Sequence, residues 1–181
     1  MKIQRFTCIF MLWSTLLILP VFHCAHASEP EVIGSDKFIN HVRQALLLLK
    51  ERDANAYAIV QNYVGRIQEG ERSGMWAYKT PPTYEMGHAT VSYSLTWTTA
   101  TIAHDSCHSE LYQMYQKTHP GRVPDSVWTG TAVEQRCMQH QLAVMERIGA
   151  TTREIDYAKK QANGQYVKDR ETWQEYEKRN W

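Results

Sequence analysis

Residues 101–108 have the sequence Thr-Ile-Ala-His-Asp-Ser-Cys-His, which places His104 and His108 four positions apart. If this segment forms a helix, the two imidazoles lie about 40° apart around its axis and share one face. Neutral imidazoles at this spacing can bind one metal ion from successive turns. The neighbouring positions on that face are apolar, and a metal ion is one partner that buried ring nitrogens can have. Hydrogen-bonded core histidines and surface histidines are the alternatives.

The sequence around this motif predicts an α+β domain that is mainly helical. Apolar residues recur at helical spacing in five segments, which we predict as helices: residues 36–52, 53–68, 94–117, 131–148 and 152–162. Short stretches rich in aromatic and β-branched residues are predicted as strands: residues 75–78, 83–86 and 89–93. The histidine pair therefore lies on the third helix, directly after a strand region.

The fourth predicted helix carries an acidic residue in line with its apolar face. Glu134 lies one turn before Cys137 and Met138, which belong to that face. A carboxylate directed at a core needs a cation or hydrogen-bond donors nearby. Glu134 is therefore a candidate third metal ligand. The alternative is a solvated carboxylate in the first turn of a helix, where the helix dipole favours it.

The cysteines connect the third helix to the fourth. Cys8 and Cys24 lie in the N-terminal segment, so only Cys107 and Cys137 remain beyond it. In an exported protein two cysteines most simply form one disulfide, whose Cα atoms lie within about 7 Å. Such a bond would bring Glu134 close to the histidine pair. Two buried, unpaired thiols are the alternative.

The N-terminal segment is typical of a signal peptide. Lys2 and Arg5 precede an apolar run from Ile9 to Leu19, and Ala25-His26-Ala27 fits a cleavage signal. We expect residues 1–27 to be removed and residues 28–181 to form a single domain with no stable membrane anchor. The pattern predicts export, and it does not distinguish the periplasm from the external medium. The aromatic residues of the tail, residues 165–181, are expected to dock onto the domain.

The charge distribution argues against nucleic acid as a partner. The whole chain has 20 Lys and Arg against 19 Asp and Glu, and Lys2 and Arg5 are the only charged residues within 1–27. The remaining charges are interspersed, with no basic block that could follow a phosphate backbone. The sequence leaves the oligomeric state open.

The motif and its surroundings resemble the zincin metallopeptidases, in particular the gluzincins, which carry HExxH on one helix and a glutamate ligand further along. The resemblance covers about residues 75–148. It implies a zincin-like fold and Zn²⁺ held by His104, His108 and Glu134, with water in the fourth position. It also implies a peptide or protein substrate, aligned by the strand predicted at residues 89–93.

One position departs from the family pattern. The general base that follows the first histidine is usually glutamate, and here it is Asp105. Aspartate is one methylene shorter, so its carboxylate lies about 1.5 Å farther back. A general base must come within about 3 Å of the water it deprotonates, or act through a second water. The sequence does not rank the candidate oxyanion donors, which are Tyr112, Tyr115, His119 and Tyr166.

Other functions use the same residues differently. The protein could be a metal-binding protein with a structural or interaction role, catalytically weak or inactive. It could also be an exported interaction domain without a metal. A cysteine hydrolase based on Cys107 would need a free thiol, which a disulfide to Cys137 would remove.

Overall fold

The computed structural model describes residues 28–165, with the side chains of residues 28–162. The predicted signal segment and the tail residues 166–181 lie outside the described residues. Within this range the helices are α1 (Asp36–Arg52), α2 (Ala54–Tyr63), α3 (His88–Tyr93), α4 (Leu95–Thr118), α5 (Asp125–Trp128), α6 (Thr131–Ile148) and α7 (Thr152–Gln165). The strands are β1 (Glu31–Ile33), β2 (Arg66–Gly70), β3 (Gly74–Trp76) and β4 (Thr83–Gly87).

The four strands form one mixed sheet in the order β1-β2-β4-β3. Strand β2 is parallel to both β1 and β4, whereas β3 is antiparallel to β4. Tyr84 of β4 pairs with Ile67 on one side and with Met75 on the other. Strand β3 therefore forms one edge of the sheet, and its outer side pairs with no strand of the described residues.

Helix α4 runs through the centre of the domain. Its N-terminus is capped by Ser94, whose hydroxyl accepts a hydrogen bond from the Trp97 N–H at 2.9 Å. Nearly every residue from Trp97 to Ser109 is buried, which exceeds the single face that a surface helix buries. Five helices (α1, α2, α3, α5 and α6) and strands β3 and β4 contact it. The histidine pair therefore lies on the most enclosed helix.

The predicted class, α+β and mainly helical, is confirmed, and so are the main helices. Helices α1 and α6 have the predicted bounds, and α4 and α7 differ from the prediction by a few residues. Residues that cap the helix ends explain the agreement. The Ser35 hydroxyl accepts from the Phe38 N–H at the start of α1, and Gly149 ends α6 in the left-handed conformation at φ 76°.

The prediction for residues 53–68 was wrong in its second half. Helix α2 ends at Tyr63, and residues 66–70 form strand β2 between β1 and β4. At the turn between them, a Cβ on Gly65 would lie 2.5 Å from the Cβ of Pro81. Ile67 fits a helical repeat with the preceding apolar residues, but pairing with two parallel strands outweighs that local pattern.

The strand predicted at residues 89–93 was also wrong, because this segment is helix α3. Its β-branched and aromatic residues favour a strand, but tertiary contacts turn the chain. The Ser73 hydroxyl accepts from the Gly87 N–H at 3.0 Å and lies 2.7 Å from the Thr90 hydroxyl. These bonds hold the start of α3 against the end of β4. The strand expected to align a substrate is therefore absent at residues 89–93.

Glu154 connects the start of α7 to the start of α4. Its carboxylate accepts from the Thr151 N–H at 2.7 Å and from the Thr96 hydroxyl at 2.6 Å, and it also accepts from the Ser94 hydroxyl. The Glu154 N–H donates back to the Thr151 hydroxyl at 3.3 Å, which completes a capping box. Burial alone would raise the pKa of Glu154, but these hydrogen bonds outweigh it and lower the pKa.

We predict that Glu154→Gln lowers the free energy of unfolding by about 1–3 kcal/mol at pH 7, because a buried acceptor of several hydrogen bonds loses its charge. A carboxyl whose pKa is lower in the folded protein stabilises the fold at pH values above its pKa in the unfolded chain, which is about 4.3. This stabilisation is lost as the pH falls further. The difference between the two proteins should therefore shrink in acid. Urea unfolding at several pH values measures it. Asp156→Asn, at an exposed position of the same helix, is the control and should change little.

Candidate metal centre

Two helices bring the three predicted ligands together. Helix α4 supplies His104 and His108, which are only 4% and 5% exposed, and the first turn of α6 supplies Glu134. The two Nε2 atoms lie 3.1 Å apart. The carboxylate oxygens of Glu134 lie 3.4 Å from His104 Nε2 and 3.6 Å from His108 Nε2. All three predicted ligand residues thus lie in one cluster.

These distances fit a single metal ion. Tetrahedral zinc binds nitrogen and oxygen ligands at about 2.0–2.1 Å, which places neighbouring donor atoms about 3.3 Å apart. The two Nε2 atoms lie 3.1 Å apart, and each has one of the two Glu134 oxygens at 3.4 or 3.6 Å. With one donor atom from each residue, all three atoms lie within 4.8 Å of one another. His104, His108 and Glu134 therefore form a group that can hold a metal ion.

The tautomer of the neutral His108 ring is fixed by a backbone contact. Its Nδ1 lies 2.7 Å from the carbonyl oxygen of Trp128. A carbonyl can only accept, so Nδ1 carries the proton and donates it. In the neutral ring the lone pair is then on Nε2, which faces His104 and Glu134. Histidine ligands of metals usually have such a hydrogen bond from their second nitrogen, and it orients the ring.

The charges around the cluster favour the protonated, positively charged form of the His108 imidazole. Burial lowers the pKa of His108, but the Glu134 carboxylate and, more weakly, Asp105 outweigh it and raise this pKa to about 9. Burial raises the pKa of Glu134, but the two imidazoles outweigh it and hold this pKa well below its usual range. In the absence of a metal the site therefore retains a proton, which a bound cation would displace.

Asp105 lies beside the cluster, one residue after the first histidine. Burial raises the pKa of its carboxyl to about 6, although the charges of His104 and His108 lower it. Glu134 raises it further because the two carboxylates repel each other. At pH 7 Asp105 is thus largely ionised and close enough to the ligands to interact with each of them. Its role as a general base stays a prediction.

The predicted disulfide joins the two helices that carry the ligands. Cys107 and Cys137 are bonded with their Cα atoms 5.5 Å apart. Cys107 is adjacent to His108, and Cys137 lies one turn after Glu134. The bond holds α4 and α6 together at the height of the metal cluster. It also leaves no thiol at Cys107, so the cysteine hydrolase alternative has no nucleophile.

We predict that the double substitution Cys107→Ser, Cys137→Ser lowers the free energy of unfolding by about 3–4 kcal/mol, because a cross-link over 30 residues restricts the unfolded chain. Metal affinity should fall as well, since Glu134 is then held less firmly against the histidines. Thermal unfolding and metal titration of the folded protein measure the two effects. An unchanged metal affinity would mean that packing alone positions Glu134.

A group of aromatic side chains lies next to the cluster. Trp128, whose carbonyl orients His108, packs edge-on against Tyr78 with ring centroids 6.1 Å apart. It also packs against Tyr112, one turn after His108, at 5.4 Å. Tyr78 continues this group to Trp76 on the edge strand β3, at 6.0 Å. Aromatic contacts thus connect the His104, His108 and Glu134 cluster to strand β3, the edge of the sheet among the described residues.

The structure separates the candidate oxyanion donors. Tyr112 lies in the aromatic group beside the cluster, whereas Tyr115 and His119 stack on each other near the end of α4, at 3.9 Å between centroids. Tyr166 lies outside the described residues. The contact of Trp128 with His108 could not be predicted from the sequence, because it uses a backbone carbonyl that no side-chain pattern marks.

Comparison of the chain with family models, with curated proteins and with solved structures gives no match. In the described part of the chain, no helix has both the length and the apolar character needed to cross a membrane. The interpretation of the cluster therefore depends on its own geometry.

Proposed function

We propose that the protein is an exported zinc-dependent hydrolase of peptides or proteins. His104, His108 and Glu134 hold the zinc ion, and Asp105 is the general base. One observation carries the proposal: three ligand residues from two helices converge, with the two Nε2 atoms 3.1 Å apart and a Glu134 oxygen 3.4 or 3.6 Å from each of them. The contact with the Trp128 carbonyl leaves the lone pair of the neutral His108 ring on Nε2.

The donor set favours zinc in a catalytic site. Two imidazoles and one carboxylate are a common set of three protein ligands for catalytic zinc, which leaves the fourth position to water or substrate. Structural zinc sites more often have four protein ligands. Among the described residues the cluster contains three such ligands, all on helices that a disulfide joins.

The side chains around the cluster supply the parts of a hydrolysis. Zinc lowers the pKa of a bound water and polarises a carbonyl group. Asp105, largely ionised at neutral pH, takes the proton from the attacking water and gives it to the leaving nitrogen. Tyr112 is the candidate oxyanion donor that lies beside the cluster.

The order of the elements supports a zincin-like architecture. A mixed sheet with an antiparallel edge strand precedes the helix with the two histidines, and the helix with Glu134 follows. The outer edge of β3 offers backbone groups to an extended peptide, as in other cases of strand addition. The aromatic group from Trp76 to Trp128 connects this edge to the metal cluster. A peptide on β3 would thus pass close to the zinc.

A second candidate is a metal-binding protein without turnover. The shorter Asp105 side chain favours it, because the base position of the related enzymes usually carries glutamate. In that protein zinc would stabilise the pairing of α4 with α6. The disulfide between these helices already does this, which leaves less reason for a purely structural metal.

Two measurements on the secreted chain test the proposal. Elemental analysis should find about one zinc ion per chain. Incubation with an unstructured protein such as casein should give fragments, and a chelator should stop the cleavage until zinc is added back. One zinc ion without cleavage would favour the second candidate. Folded protein that binds no zinc would contradict both.

A further inference from the structure

The segment between α4 and α6, residues 119–130, has little of its surface in the core. Within it only Val123 is buried, residues 127–129 are half-buried, and the others are exposed. Yet the Trp128 carbonyl of this segment lies 2.7 Å from Nδ1 of His108, whose side chain is buried. A weakly embedded segment thus supplies the hydrogen bond that orients a candidate metal ligand, and it needs an anchor.

The indole ring of Trp128 contacts the same helix as its carbonyl. It packs edge-on against Tyr112, with ring centroids 5.4 Å apart, and Tyr112 lies one turn after His108 on α4. Its second neighbour is Tyr78, just beyond β3, at 6.1 Å and also edge-on. Edge-to-face packing at these distances is a favoured arrangement of aromatic pairs. One residue therefore contacts α4 twice, through its carbonyl at His108 and through its ring at Tyr112.

The ring acts through packing, because the indole N–H of Trp128 is buried and has no hydrogen-bond partner among the described residues. The backbone bonds of α5 do not replace this packing. The Val127 N–H donates to the Pro124 carbonyl at 3.0 Å, and the Thr129 N–H donates to the Asp125 carbonyl at 2.8 Å. Both bonds lie within the segment, so they shape α5 but do not fix its position relative to α4.

We propose that Trp128 is a positioning residue for the metal site: the packing of its indole against Tyr78 and Tyr112 holds its carbonyl against His108. The ring of His108 then keeps Nε2 directed at the metal ion. This inference rests on the metal site of the proposed function, but it does not depend on hydrolysis. Loss of the hydrogen-bond partner of a metal ligand typically lowers metal affinity about 10- to 100-fold.

Zinc titration of the full chain tests the role of the ring. Trp128→Ala keeps the carbonyl but removes its anchor, and it should lower zinc affinity about 10-fold. Trp128→Phe keeps an aromatic ring, and its zinc affinity should stay within about twofold of the wild-type value. Wild-type affinity in Trp128→Ala would overturn the proposal. A loss in Trp128→Phe as large as in Trp128→Ala would also overturn it, because packing of the ring would not be the cause.

Trp76→Ala is the matched control. Trp76 is also half-buried and belongs to the same aromatic group, where it packs on Tyr78 at 6.0 Å. Its carbonyl, however, accepts from the Lys79 N–H at 3.1 Å. Both substitutions remove an indole from the group, but only Trp128→Ala should lower zinc affinity. Equal losses in the two variants would overturn the proposal, because general loosening of the aromatic group would explain them.

Hydrogen–deuterium exchange measures the anchor without a metal. In chelator-treated full-length protein, the amides of Val127 and Thr129 should exchange about 10-fold faster in Trp128→Ala than in the wild type, as expected for easier local opening. Exchange in α1 should be the same in both proteins. Mass spectrometry of peptides that cover residues 122–130 gives the rates. Unchanged exchange in this segment would mean that α5 is held without the ring, which overturns the proposal.

The two proposals fail in different ways. If the wild type binds zinc but cleaves nothing, the proposed hydrolase fails, and zinc titration still decides the role of Trp128. If the wild type binds no zinc, the proposed function fails, and hydrogen exchange decides whether Trp128 anchors α5. If the wild type binds zinc and cleaves casein while Trp128→Ala keeps full zinc affinity, only the inference on Trp128 fails.

Discussion

His104→Ala is expected to remove the zinc ion, reducing the metal content of the purified protein from about one ion per chain to nearly none. The substitution takes one of three protein ligands from the cluster, and alanine offers no donor atom. Loss of an outer hydrogen bond to a metal ligand lowers affinity about 10- to 100-fold, so loss of a ligand should exceed this. Elemental analysis and zinc titration measure the effect.

The control for this substitution is His119→Ala. His119 ends the same helix, is exposed and stacks on Tyr115, so its loss should leave the zinc content unchanged. If His104→Ala folds normally and still binds one zinc ion at the wild-type affinity, the cluster is not the metal site. Glu134→Gln should weaken binding by itself, because an amide is a poorer ligand for zinc than a carboxylate.

The same site predicts that zinc and protons compete. Without metal the pKa of His108 is raised to about 9, so this imidazole is protonated at pH 7 and must lose its proton to bind zinc. Zinc affinity should therefore rise with pH up to about 9 and fall steadily in acid. Calorimetry in buffers of different ionisation enthalpy would measure the released proton.

The parts of the site that the sequence predicts well are those set by local chemistry. The four-residue spacing fixes both histidines on one face of α4, and the cysteines identify which helix lies beside it. The contact between Cys107 and Cys137 then brings Glu134 into reach. Caps at Ser94 and Gly149 made the helix bounds predictable, because their signals lie within a few residues of the helix ends.

The parts that the sequence does not predict are set by contacts between distant residues. Ile67 continues a helical repeat but lies in a strand, since its neighbours in space are Tyr84 and Val32. The Trp128 carbonyl that orients His108 leaves no trace in the side-chain pattern.

Asp105→Asn is expected to abolish most hydrolysis while zinc stays bound. Asparagine matches aspartate in size and still accepts a hydrogen bond, but it cannot take up a proton at neutral pH. A general base contributes about 10²- to 10⁴-fold to the rate, and kcat should fall by this amount. Asp105 lies outside the group of three ligands, so zinc content should remain about one ion per chain.

Two further variants distinguish the possible causes of such a loss. Asp105→Glu lengthens the side chain by the methylene that separates this chain from the usual zincin pattern, and it should retain activity because the carboxylate remains. Glu110→Gln removes a carboxylate at a partly exposed position of the same helix and should leave kcat unchanged.

If Asp105→Asn keeps full activity, another group accepts the proton. If it instead loses zinc, Asp105 helps to hold the metal, and the assignment of base and ligands must change. Activity that is absent from Asp105→Asn but present in Asp105→Glu, at equal zinc content, leaves the carboxylate itself as the group that the reaction requires.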